Sequence, residues 1–458
     1  IITAGVDTLF PTSTAWVADA GYNNVDRGTP ILATFADWWL AKQPTEGVTK
    51  KIDTSWFTGN ASEYTLDTPE EFMGFAELAK TNDFKDITIK LGADIVLNEV
   101  DEDTVATWKA GTKTPSRVWT PIGNATTPFA GTFDGQGYTI SGLYLNATTA
   151  NAGLFGQTAA TAVIKNFKLV DSYMESNAKS LGLIGRGTFA SIENVYSNAI
   201  MKSTAIAVAG FVGTLDASST TLVIKNCWFD GEVLQTGTGI YNVGGFIADD
   251  SAAVPVKFVN CLMTGSVTGV NNVGGFYGFH SYYAIRDYYN CLSVGTVSGT
   301  ANGAYVGGVV GNVNTSTWNV KMYNTYTDAE SVIARTKTAS ETSKYNIETY
   351  MMSREALIIA DEKDLFPVLT AEGETENAWV NDIGYNAVDR GTPILATFAE
   401  WWLTENPDDG LTDIPVNDPN KVEPSTEWFT NGTPIMTAAD LLGFAKLASE
   451  GETFASKT

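Results

Sequence analysis

The chain has 458 residues, 44% of them hydrophobic, and a net charge of −24 from 28 basic and 52 acidic side chains. That length exceeds one ordinary compact core and implies several domains or one elongated solenoid. The acidic balance argues against nucleic acid and anionic membranes as partners, and no run of about 20 apolar residues exists to insert into a bilayer. Three cysteines and one histidine exclude a disulfide framework and make a zinc site unexpected.

The chain opens without an initiator methionine or a signal peptide, so it is expected to be a mature or excised piece. Its first part holds AGYNNVDRGTPILATFADWWL at 20–40, which returns as IGYNAVDRGTPILATFAEWWL at 383–403, an offset of 363. A second pair follows in the same order. Trp56 returns as Trp428 and Gly74 as Gly443, offsets of 372 and 369. The organisation this implies is the end of a preceding module (1–50), one complete module (51–420) and the start of the next (421–458). The paired tryptophans Trp38-Trp39 and Trp401-Trp402, each preceded by a phenylalanine (Phe35, Phe398), are expected to pack at module junctions. Stacking on sugar rings is the alternative use.

Residues 67–82 read as a capping helix. Thr68 and Glu71 have capping-box spacing, Pro69 suits the first helical position, and Phe72, Phe75, Ala76 and Ala79 keep helical spacing. Such a helix is expected to cover the open end of a strand stack. Ile87–Leu97 then alternates as the first strands.

The coils are expected over 129–330. Glycine-flanked apolar tetrads recur at Gly153, Gly182, Gly210, Gly245, Gly275 and Gly308, with steps of 29, 28, 35, 30 and 33. Each is followed by a short strand ending in asparagine: Asn166, Asn194, Asn226, Asn260, Asn290 and Asn324. Two residues before each stands a large apolar side chain: Ile164, Ile192, Ile224, Phe258, Tyr288 and Met322. A unit of about 30 residues cannot bury its own apolar side, whereas stacked units can. The fold expected is an all-β, right-handed parallel β-helix solenoid with a short helical cap. Glycine is expected at corners needing positive φ, which asparagine also tolerates, and the six asparagines are expected to form an internal amide ladder. Cys227, Cys261 and Cys291 each follow a ladder asparagine, where other coils have Phe167, Val195 and Thr325. They are expected to be stacked, buried, unpaired thiols. Residues 331–420 are expected to form the closing segment.

GLFG, GLIG and GFVG resemble the GLUG motif of bacterial surface proteins. FAGTFDGQGYTISGLYL (Phe129–Leu145) is similar to the first-coil signature of those proteins and of the N-terminal regions of IgA-protease-type metallopeptidases. The helix with LGADIVL, and the closing patterns FPVL (Phe366–Leu369) and TPIL (Thr392–Leu395), match as well. The resemblance covers roughly 60–400 and implies a parallel β-helix on an exported, often wall-attached protein. No His-Glu-x-x-His is present, so the peptidase activity does not carry over, and no cell-wall sorting signal is visible.

Since β-helices include polysaccharide lyases and hydrolases, carboxylates are the candidate acids. Asp134, followed by Gly135 and Gly137, lies at a turn and reads as structural, Asp249-Asp250 as a solvated loop, and His280 as a lone histidine without triad partners. No catalytic, cofactor or metal residues are therefore assigned; scattered carboxylates leave weak Ca²⁺ binding as the one cation option. The expectation is a non-enzymatic, extracellular structural or adhesive module, its partners being adjacent copies or tandem modules, surface glycans or a neighbouring cell surface. The rivals are a carbohydrate-active enzyme and a carbohydrate-binding module.

Overall fold

The computed structural model describes residues 52–336, 347–382 and 391–405, apart from 102, 149, 178, 205, 240, 281–283 and 314–319, together with 16, 17, 31, 32 and 34. Trp38, Trp39 and the segment 421–458 lie outside the described residues.

The chain winds as an all-β, parallel β-solenoid of about six turns. One coil shows the plan. Tyr173–Ser176, Ser180–Leu181, Ile184–Gly187 and Ser191–Ser197 run in sequence, and each joins a different parallel stack. No strand could bury its inward side alone. Pairing with the coils above and below satisfies its backbone and closes the core.

The register follows the spacing of the tetrads. Phe155 pairs with Ile184, then Val212, Ile247, Tyr277 and Val310 in turn. These steps are the same 29, 28, 35, 30 and 33 residues. On the next face, Ile164, Ile192, Ile224, Phe258, Tyr288 and Met322 stack in register. All six are buried in one continuous core. Because side chains alternate with period two, a slip of one residue would turn this column outward.

Of the two residue types expected to tolerate positive φ, the asparagines take it at the coil corners. Positive φ sits on the six asparagines, between 46° and 59°, and not on the tetrad glycines. The glycines serve close approach. A Cβ on Gly245 would lie 2.1 Å from the Gly275 carbonyl oxygen, and one on Gly275 2.0 Å from that of Gly308. Any side chain there would force the coils apart.

The capping helix is Pro69–Leu78, with both capping-box bonds between Thr68 and Glu71 formed. It lies between the first two strands of the stack, Glu63–Leu66 and Thr88–Leu91. Phe72 stacks on Trp119 at 5.0 Å, and Phe75 meets Phe129 and Phe133 at 5.8 and 6.1 Å. An aromatic plug thus fills the first coils. A second helix, Thr104–Lys109, lies on an excursion between the second and third strands and sets Trp108 against Tyr144 outside the core.

Cys227, Cys261 and Cys291 are free and fully buried. Their thiols meet carbonyl oxygens at the same turn, Cys227 that of Lys225 at 3.2 Å and Cys291 that of Tyr289 at 3.3 Å. Burial pushes the Cys227 and Cys291 thiols well above their ordinary pKa. All three are therefore expected to resist a thiol reagent in the folded protein and to react together in denaturant. Rapid labelling of the native chain would contradict this packing.

Candidate functional site

Asp134 occupies the base of the asparagine column. It ends the strand Thr132–Asp134, pairs in register with Lys165, and accepts from the Asn166 amide at 2.9 Å and the Gln136 N–H at 3.0 Å. Burial alone would raise its pKa. The Asn166 and Gln136 bonds and the Lys165 ammonium at 3.4 Å outweigh this and hold it below the usual carboxylate range. A carboxylate so held stays ionised, which suits an acceptor and not a proton donor.

From this base the amides climb. Asn194 donates to Asn166 at 2.8 Å, Asn226 to Asn194 at 3.1 Å and Asn260 to Asn226 at 3.1 Å. The ladder is not continuous over all six. Asn290 donates to the carbonyl of Pro367 at 2.7 Å, and Asn324 restarts the column on Asn290 at 3.0 Å. Asn260 donates also to Glu374. The closing segment thus enters the column between the fourth and fifth rungs. The ladder also sits at a corner: Asn166, Asn194, Asn226 and Asn324 are half-buried, and Asn260 and Asn290 are buried.

Asp249 and Asp250 are not in a solvated loop. They end the strand Ile247–Asp250, where Asp250 is buried and Asp249 half-buried. Asp250 meets Arg286 of the next coil at 2.6 Å, with both side chains 0% exposed. Tyr277 donates to the same carboxylate oxygen at 3.2 Å, and the Val254 carbonyl accepts from the guanidinium. His280, from the same coil as Arg286, is buried beside Tyr277. Neither of its ring nitrogens finds a hydrogen bond among the described residues. Burial, then the Arg286 charge, pushes its pKa well below the ordinary value, so the ring is neutral. An Asp, a His and a Tyr do converge here, but inside the solenoid wall. General acid–base work needs a substrate within hydrogen-bond reach.

Asp249 points the other way, on the column Arg186, Thr214, Asp249 and Phe279. Burial and then the neighbouring Asp250 carboxylate raise its pKa to about 7, against the Asn242 hydrogen bond. The folded state therefore holds a proton that the unfolded chain releases near its ordinary value. Stability gained from this group below that value is lost as pH rises toward 7. Asp249→Asn is expected to flatten the fall in melting temperature between pH 5 and pH 8. An unchanged slope would contradict the assignment.

A second apolar cluster lies on the solenoid's flank. Outward-facing Val170, Tyr196, Trp228, Leu262, Leu292 and Tyr326 form a second apolar column. The closing segment folds back over it. Phe366 stacks on Trp379 at 4.1 Å and meets Tyr326 at 5.4 Å. The helix Ala396–Glu405 brings Trp402 to 4.5 Å from Trp228, and Trp401 to 4.7 Å from Tyr196. Trp401 and Trp402 thus pack on the solenoid of this chain. Trp402 is 8% exposed, which leaves it no free ring face for a sugar. Polar ties accompany the seat: Lys257 to Glu372 at 2.6 Å and Lys225 to Glu374 at 3.3 Å.

A shallow groove of about 550 Å³ runs beside the excursion helix, lined by Val100, Asp101, Val105, Asp171, Ser172, Asn198 and Ile200. Among the described residues that line it there is no histidine, cysteine or basic side chain. Among the described residues no group of three or more His, Cys, Asp or Glu is placed to hold a metal ion, and no helix is long and apolar enough to cross a membrane.

No family model matches the chain. A protein of Evansella cellulosilytica named "Putative Gly-rich membrane protein" is 32% identical over 80 residues, which are 17% of this chain and 9% of that protein. Halomucin of Haloquadratum walsbyi is 26% identical over 213 residues, 44% of this chain and 2% of that protein. The chain thus spans a small part of the length of these relatives. A crystal structure from Bacteroides ovatus named as a "putative immunoglobulin A1 protease" aligns with TM-score 0.49 and 19% identity, covering 73% of this chain and 92% of that one.

Proposed function

We propose that the chain is an extracellular structural or adhesive repeat module of a large surface protein or fibre, and that it performs no catalysis. The observation that carries this reading is the fate of the acidic and histidine candidates. Asp134 anchors an amide column, Asp250 neutralises a buried arginine, and His280 is sealed in the core. Their chemistry is spent on holding coils together. The sequence similarity to a Gly-rich membrane protein and to halomucin, both far longer than the matched segments, fits a repeated surface module. The strong acidic balance keeps such arrays soluble.

The carbohydrate-binding alternative rested on free tryptophans, and the seating of Trp402 on Trp228 weighs against it. Antibodies raised against the whole chain test the location. Labelling of intact cells of the source organism, removed by brief surface proteolysis, is the expected result. Labelling only after permeabilisation would overturn the proposal.

A further inference from the structure

A lysine and an asparagine from consecutive coils meet on one carboxylate where the closing segment enters the asparagine column. That carboxylate belongs to Glu374, which follows the turn Thr370–Glu372 and Gly373. Leu369 holds it twice: the Glu374 N–H donates to the Leu369 carbonyl at 3.3 Å, and Oε2 accepts from the Leu369 N–H at 3.2 Å. The other oxygen, Oε1, accepts from the Asn260 amide and lies 3.3 Å from the Lys225 Nζ. Asn260 is 0% exposed, and the Glu374 and Lys225 side chains are 8% and 24% exposed. Lys225 pairs in register with Val259, so the lysine stands beside the residue that precedes Asn260.

Asn260 differs from its neighbours in the column. Asn166, Asn194, Asn226 and Asn290 each accept a hydrogen bond on Oδ1 from another rung. The next rung after Asn260 donates to Pro367 instead, and the buried Asn260 Oδ1 accepts no hydrogen bond among the described residues. An orphaned buried acceptor is costly and rare. The amide is therefore held by its nitrogen alone, on the carboxylate that also holds an amine. An amine nucleophile, a proton carrier and an acyl carbon with a nitrogen leaving group are brought together.

We propose that Lys225 and Asn260 form an intramolecular isopeptide bond, with Glu374 carrying the protons. The lysine lone pair forms the Nζ–Cγ bond, and the Cγ–Nδ2 bond breaks. Glu374 takes two protons in turn from the lysine nitrogen and passes both to Nδ2. A lysine ammonium and a primary amide become a secondary amide and one ammonium ion, and the carboxylate ends as it began. No oxidant or external reactant is consumed. Fixed neighbours supply the proximity that so slow an acyl transfer needs. The product is a covalent rung between consecutive coils, made only where the closing segment has seated Glu374. Like a disulfide, it constrains the unfolded chain. This single self-modification is not turnover. It goes beyond the surface-module reading, which stands even if the bond is absent.

Mass spectrometry of the full purified chain, incubated at neutral and mildly alkaline pH and then denatured, tests it. The expected result is the encoded mass less one ammonia. Trypsin should then release a branched peptide joining the segments around Lys225 and Asn260, uncut after Lys225. Lys225→Arg keeps a cation beside Glu374, and is expected to show its full encoded mass with the parent's circular dichroism. Glu374→Gln keeps the side chain's shape and is expected to slow branch formation at least ~100-fold. The full encoded mass in the parent chain would overturn the proposal, whatever the variants do. So would loss of ammonia without the branch, which marks an asparagine closing to a succinimide, or a branch that forms at the parent's rate in Glu374→Gln.

Discussion

Arg286→Met is expected to destabilise the module by about 3–5 kcal/mol, the usual cost of leaving one charge of a buried pair without its partner. Arg286 and Asp250 are both 0% exposed, and the guanidinium also holds the Val254 carbonyl and approaches the Tyr277 ring at 5.4 Å. Removing it takes the opposite charge from the buried Asp250 carboxylate and leaves the Tyr277 hydroxyl as a neutral donor to it. The informative comparison is the double variant Asp250→Leu, Arg286→Met. Replacing both ions by apolar groups of similar size is often neutral or stabilising, so the double variant should recover most of the loss. Thermal melts of the three proteins decide it. A single variant that melts within a degree of the parent, or a double variant worse than the single, would show that the pair is not the strut described here.

Trp228→Ala is the second large effect. Trp228 is buried between Tyr196, Phe398 and Trp402, and its indole N–H donates to Thr264 at 2.7 Å. Truncating a buried tryptophan costs about 3–5 kcal/mol. Here the loss falls on the joint between solenoid and closing segment rather than on the inner core. The expected readout is therefore local: protease should cut within 352–405 much faster, while the coils keep their circular dichroism. Uniform loss of structure, or unchanged proteolysis, would contradict a flank that is separate from the core.

The solenoid was legible because its signal repeats. Six tetrads and six asparagines, each set recurring at steps of 28 to 35 residues, give the register coil by coil, and the inward column from Ile164 to Met322 could be read directly. What was missed occurs once. Arg286 occupies an inward column otherwise filled by Leu222, Val256 and Val320. That substitution was a signal, four residues before the asparagine in each coil, and Asp250 would have been its candidate partner. Read alone, the acidic pair looked like a loop. The outward column of Tyr196, Trp228, Leu262 and Leu292 was equally present in the sequence. It could not be told from scattered surface hydrophobics without knowing what folds back on it. The ladder's interruption has the same origin. Pro367 and Glu374 lie far along the chain from Asn290 and Asn260, and nothing local to the coils announces them.

The array, rather than any one cluster, carries the proposed function, and the acidic groups are its fasteners. Turnover tests this most directly. The whole chain should be incubated with a panel of acidic and neutral polysaccharides and with peptide substrates, beside Asp134→Asn. The account predicts no product from either protein, with the variant lower in melting temperature because Asn166 loses its ionised acceptor. Release of product by the parent chain, abolished by Asp134→Asn while the fold persists, would contradict it.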